Sequence, residues 1–121
     1  MRLFALRGAN SVERNDAEAI LSATDALMRE LMARNALGAE SMVSCIFTLT
    51  DDLDAEFPAV AARRLGLDLV PLLCAREIPV AGAMPKVIRV LVHYHADPDH
   101  VPRHVYLGRA SALRADLGSA Q

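Results

Sequence analysis

A short apolar run, Leu3-Phe4-Ala5-Leu6, leads into Arg7-Gly8-Ala9, and the stretch predicts a first strand. Leu3, Ala5 and Arg7 share one face; Phe4 and Leu6 share the other. The period then changes. Ile20, Thr24, Leu27, Met28, Leu31 and Met32 recur at helical spacing, one apolar stripe to lie on a sheet. Asn15 is the expected N-cap, Asp16 and Glu18 suit the positive end of the helix, and Asn35 to Gly38 ends it. Asp25 and Arg29 form an i,i+4 pair on the wet side. A second strand is predicted over Met42 to Thr50, rich in β-branched and apolar residues. Asp51 to Asp54 reads as a turn with solvated carboxylates. A short helix follows from Phe57 to Leu65, with Pro58 in its first turn and Gly66 as its stop.

Leu69 to Cys74 predicts a third strand, where Pro71 marks an edge or a bulge. Ile78 to Pro85 is a proline- and glycine-bearing connection. The long strand Val87 to His95 places Ile88, Val90, Val92 and Tyr94 on one face. Val87, Arg89, Leu91, His93 and His95 fall on the other. Arg103 to Leu107 is a last short strand, and Ala115 to Gln121 a tail expected to be mobile. The succession predicts an α/β (α+β) fold over a single domain, 1–121: a mixed β-sheet with helices on one face. Free strand edges in such a sheet invite oligomerisation.

Composition narrows this picture. The chain has 121 residues, 53% hydrophobic and only 4% aromatic, enough for one alanine-rich core. A net charge of −2 gives no broad electrostatic case for nucleic acid. The basic residues are arginines except Lys86, and arginine grips carboxylates in a forked geometry. Cys45 and Cys74 lie in apolar strand-like runs without metal-ligand spacing, which suits reduced, buried thiols in the cytoplasm. Met1 to Arg7 has no long apolar segment and no run is long enough to span a membrane, so no membrane partner is expected.

The candidate chemistry centres on Glu77 and Arg89. A charge inside Val87-Ile88-Arg89-Val90-Leu91-Val92 must be paired or face a polar cavity. Glu77 and Arg89 read equally as a structural ion pair or as two sides of a site. Arg7 is an edge arginine reaching solvent or a site residue. Tyr106 alone reads as a core tyrosine, and Cys74 as a buried small hydrophobe. His93 and His95 stand i,i+2 on one strand, but no third ligand is placed to complete a metal site. No GxSxG, Ser/His/Asp order or phosphate loop is present. If Arg7, Arg63, Arg89 and Arg114 converge with Glu77, Tyr106 and Cys74, the site prefers a small anion with two carboxylates and a hydroxyl. Without nucleophile or cofactor it acts by positioning and electrostatics, or only binds.

Taken in order, Arg7-Gly8-Ala9 with Val12-Glu13, Phe57-Pro58-Ala59 with Ala61 and Arg63, Val70-Pro71, Cys74-x-x-Glu77, Ile88-Arg89-Val90, Arg103-His104-Val105-Tyr106-Leu107 and Leu113-Arg114-x-Asp116-Leu117 form a set. The set resembles the monofunctional chorismate mutases of the trimeric pseudo-α/β-barrel (bacillus) type, over essentially the whole chain. The resemblance implies an isomerase, an intramolecular transferase that turns chorismate into prephenate in the shikimate pathway to phenylalanine and tyrosine. It implies no cofactor, no metal and no covalent catalysis. It also implies a homotrimer with active sites between subunits. Arg89, Glu77 and Arg7 are the implied catalytic residues. Phe57, Ala59, Arg63, Leu73, Cys74, Tyr106, Leu113 and Arg114 complete the implied binding set.

Three positions depart from the family pattern. Val60 replaces a common lysine after the FPA motif, Leu73 a common threonine, and Ala115 a common proline. None touches Arg7, Glu77, Arg89 or Tyr106, so weaker binding rather than lost activity is the expectation. The competing reading is a non-catalytic trimeric module that binds a small dicarboxylate metabolite. Regulation by feedback is not expected within 121 residues.

Overall fold

The structure is a computed structural model and describes residues 1–113. Five strands form one mixed sheet: β1 (Arg2–Ser11), β2 (Met42–Leu49), β3 (Leu72–Arg76), β4 (Val87–Ala96) and β5 (Val105–Tyr106). Their spatial order is β3-β2-β4-β1-β5. Antiparallel β4 sits in the middle against β1 and β2, while β3 and β5 run parallel to their neighbours and form the edges. The mixed sheet is therefore as the succession of elements predicted, and β3, just after Pro71, is an edge strand.

Two helices cover one face, α1 (Ala17–Arg34) and α2 (Ala59–Arg64). Beneath them Phe4, Leu6, Phe47, Val90, Val92 and Tyr94 meet Leu27, Met28 and Leu31 in the main core. Each side chain of this size, fully buried, stabilises the fold by roughly 1.5–3 kcal/mol. Gly8 suits the close approach of α1: a Cβ there would lie 3.0 Å from the Leu27 and Leu31 Cδ1 atoms and 3.2 Å from the Val105 carbonyl oxygen, so these neighbours would have to give.

Local details differ from the sequence expectation. Asp16, not Asn15, caps α1, its carboxylate accepting from the Ala19 amide at 2.8 Å. That contact, with Arg14 beside it, lowers the carboxyl pKa. Asn15 instead crosses to the next turn, accepting from the Asp54 and Ala55 amides and donating to the Asp54 carboxylate. The Asp51–Asp54 turn is therefore not merely solvated. Asp52 accepts from Thr50 Oγ1 and from the Lys86 amide, holding Lys86 at φ 53 as the chain enters β4. Thr50 Oγ1 accepts from the Val87 amide at 3.1 Å.

Among the described residues the other sheet face carries no α-helix. A 3-10 turn, Gly108–Ala112, covers part of it, placing Ala110 on Ala9 and Val87. No helix among the described residues is long and apolar enough to cross a membrane.

Candidate active site

Strand register creates the site. Residues opposite one another in a ladder point to the same side. Thr48 pairs with Arg89, Arg89 with Ala9, and Ala9 with Tyr106. One row thus crosses β2, β4, β1 and β5 on the face away from the α-helices. Arg7 sits opposite Leu91, two residues along from Ala9. This makes it a diagonal neighbour of Arg89, roughly 7–8 Å away along the ladder. Arg89 is consequently not a charge in the core; alternation turns it out while Ile88 and Val90 turn in.

Above this row lies a cavity of about 440 Å³ lined by Arg7, Arg89, Thr48, Ile46, Leu91, Tyr106 and Leu113. Four residues named from the sequence, Arg7, Arg89, Tyr106 and Leu113, share it. Glu77 lines a separate cavity and reaches Arg89 from the β3 edge. Its amide donates to the Leu49 carbonyl at 2.9 Å, which extends the β2–β3 ladder and turns its carboxylate to the same face. Arg89 Nη1 donates to Glu77 Oε1. Thr48 Oγ1 donates to Glu77 Oε2 at 2.7 Å. Thr48, on β2, thus holds the carboxylate that bonds Arg89. Glu77 is well covered, its side chain 15% exposed, while the Arg89 side chain is 40% exposed.

The pair does little for stability. An ion pair with one partner this open to water is worth about 0–1 kcal/mol. Arg89 has five N–H donors, so one bond to Glu77 leaves a fork free to grip a ligand. Each Glu77 oxygen keeps a second lone pair for a hydroxyl.

The other named residues do not reach this cavity within one chain. Cys74 pairs with Phe47 and packs on the main core, on the helix side of the sheet. Phe57, 66% exposed, lines a second cavity of about 440 Å³ with Cys74, Ala75 and Arg76. Ala59 is buried in the main core. Arg63 is exposed on α2, and Leu73, 61% exposed, stands on the edge strand opposite Ile46. Arg114 and the tail 115–121 lie outside the described residues. Sequence reasoning missed Thr48, whose signal was its alternation with Cys45 and Phe47. Among the described residues no group of three His, Cys, Asp or Glu is placed to hold a metal.

A family model for chorismate mutase type I matches residues 3–117. The chain belongs to this family. It is 48% identical over 118 residues to chorismate mutase AroH of Thermus thermophilus, covering 96% of this chain and 97% of that one. It is 40% identical over 119 residues to chorismate mutase AroH of Bacillus subtilis strain 168, covering 97% and 94%. A solved chorismate mutase from Clostridium thermocellum superposes with a TM-score of 0.87 at 43% identity, covering 89% of this chain and 97% of that one. The type I mutase fold expected from the ordered motifs is the fold observed.

Proposed function

We propose that this type I chorismate mutase chain converts chorismate to prephenate, an isomerisation on the route to phenylalanine and tyrosine. The observation that carries the proposal is Arg89, tethered by Glu77, in one cavity with Arg7 and Tyr106. The reaction is a [3,3] shift. The ether C–O bond breaks as a C–C bond forms within the same molecule, with no proton or electron exchanged. Negative charge gathers on the ether oxygen in the transition state. Arg89 donates to that oxygen, an interaction that strengthens only as the bond breaks, so it accelerates the step rather than merely binding. Its fork also reaches the side-chain carboxylate. Arg7 pairs with the enolpyruvyl carboxylate, with Tyr106 hydrogen-bonding beside it. Glu77, with Cys74, accepts from the ring hydroxyl and holds the guanidinium in place.

A homotrimer completes the site. Phe57 and Cys74 form one half-site and Arg7, Arg89 and Tyr106 another, and neither chain alone joins them. The open face, with Leu3, Ile46, Leu73 and Leu91 outside the main core, and the two strand edges support association. Across that boundary Phe57, Ala59 and Leu73 wall the compact conformer of the substrate. Arg63 and Arg114 guide the dianion at the entrance, and Leu113 closes the cavity beside Tyr106. The site works in the cytoplasm without cofactor.

Loss of chorismate absorbance with stoichiometric prephenate tests the assignment directly. Binding of chorismate without turnover would replace it with the dicarboxylate-binding module.

A further inference from the structure

We propose that His104 is a positioning residue for this reaction: its ring holds the Arg7 backbone and the β5 strand in the register that aims Arg7 and Tyr106 into one cavity. The proposal rests on the reading of Arg7 and Tyr106 as the carboxylate grip.

β5 has only two residues, Val105 and Tyr106, opposite Gly8 and Ala9. A ladder this short holds its register weakly. Beyond it, the Leu107 amide donates to the Ala9 carbonyl at 2.9 Å. On the near side both backbone groups of Arg103 bond a side chain at the end of α1. The side chain of Asn35, buried at the end of α1, donates to that carbonyl at 3.0 Å and accepts from the Arg103 amide at 2.8 Å. The Arg7 amide bonds the His104 ring: it donates to His104 Nδ1 at 2.9 Å, in a partly buried contact between residues 97 positions apart.

The contact sets the ring chemistry. Nδ1 accepts only when it carries no proton, so the ring is neutral with its hydrogen on Nε2. It also couples two ligands at once. Arg7 is bonded through its own amide, and Tyr106 stands two residues beyond His104. A shift of β5 by a fraction of a residue moves the phenol, and release of the Arg7 amide loosens the β5 side of Arg7, whose other side stays paired with β4. Small displacements of positioning groups cost disproportionately in a site that works by orientation.

Three substitutions in the full chain separate positioning from mere structure. His104→Asn places a carbonyl oxygen at the Nδ1 position. His104→Gln places it one bond further out, and His104→Leu removes it at similar size. The expected result is a KM for chorismate raised about tenfold in the Leu and Gln variants, as for loss of one hydrogen bond, with kcat changed far less. The Asn variant returns to within about twofold of the parent KM. An unchanged KM in His104→Leu, or an Asn variant no better than Leu, overturns the proposal, even if thermal stability falls. Nitrogen-15 spectra of the unsubstituted protein should show His104 Nδ1 unprotonated and hydrogen-bonded to the Arg7 amide; a protonated Nδ1 overturns it independently of any variant. Arg7→Ala is the control. An unchanged KM there overturns the carboxylate-grip reading and this role with it, whereas a raised KM beside an inert His104→Leu overturns the positioning role alone.

Discussion

Arg89 and Glu77 are bonded to each other across β2, with Thr48 between them fixing the carboxylate from below. The bond occupies one guanidinium nitrogen and leaves the rest of the fork facing the cavity. Two charges are thus oriented without the deep burial that would make them costly.

Replacing the fork while keeping its charge separates these effects. Arg89→Lys should lower kcat by about two to three orders of magnitude, the cost of removing an oriented donor to a developing oxyanion. KM should change much less, because a lysine still attracts the dianion. Initial rates of chorismate disappearance measure both. Turnover equal to the parent would refute the role given to Arg89.

Glu77→Ala tests whether the pair is architecture. Because Arg89 is 40% exposed, its loss should cost about 0–1 kcal/mol in chemical denaturation. Activity should fall well over tenfold as the guanidinium and ring hydroxyl lose their partner. A variant that fails to fold would return Glu77 and Arg89 to a structural ion pair.

The proposed sharing of the site between subunits predicts complementation. Arg89→Ala disables one half-site; Phe57→Ala with Arg63→Ala disables the other, at exposed positions whose truncation spares the core. Each preparation alone should be nearly inactive. Mixing and refolding them together should restore a substantial fraction of activity, since some boundaries then join two intact halves. No recovery in demonstrably mixed oligomers would place the whole site within one chain.

Cys45 predicts alkaline behaviour. It is buried beneath the helices, and desolvation pushes its thiol from the ordinary 9.0 up to about 11. Below about pH 9 the thiol is protonated in both folded and unfolded chains. Above that the unfolded chain releases its proton first, so the contribution to stability declines as pH rises toward the folded value. The loss should reach about 2–3 kcal/mol. Denaturation midpoints from about pH 8 to about pH 11, compared with Cys45→Ala, read it. An equal decline in both proteins would assign the alkaline loss to other groups.

The elements were legible where a single period dominates. The alternation in β4 correctly separated Ile88, Val90, Val92 and Tyr94 from Arg89, Leu91 and His93, because the pleat obliges neighbours to face opposite ways. The α1 stripe was legible for the same reason. Its cap was not: Asn15 and Asp16 have nearly equal cap preference, and the choice was made by the Asp54 turn, far away in sequence. Asp52 was unreadable as a support for Lys86 because the two meet only after β2 and β4 pair.

The sequence by itself determined the succession of strands and helices along the chain, the two faces of the strands, and the ordered motifs of the type I chorismate mutases. It also named Arg7, Glu77, Arg89 and Tyr106. Local periodicity and residue chemistry suffice for these. Only the tertiary structure decided that Thr48, Arg89, Ala9 and Tyr106 form one row, that Glu77 reaches Arg89 through the sheet, and that Cys74 and Phe57 stand apart from them. Those facts follow from strand register and strand order. Both are set by contacts between residues distant along the chain, which no local pattern records.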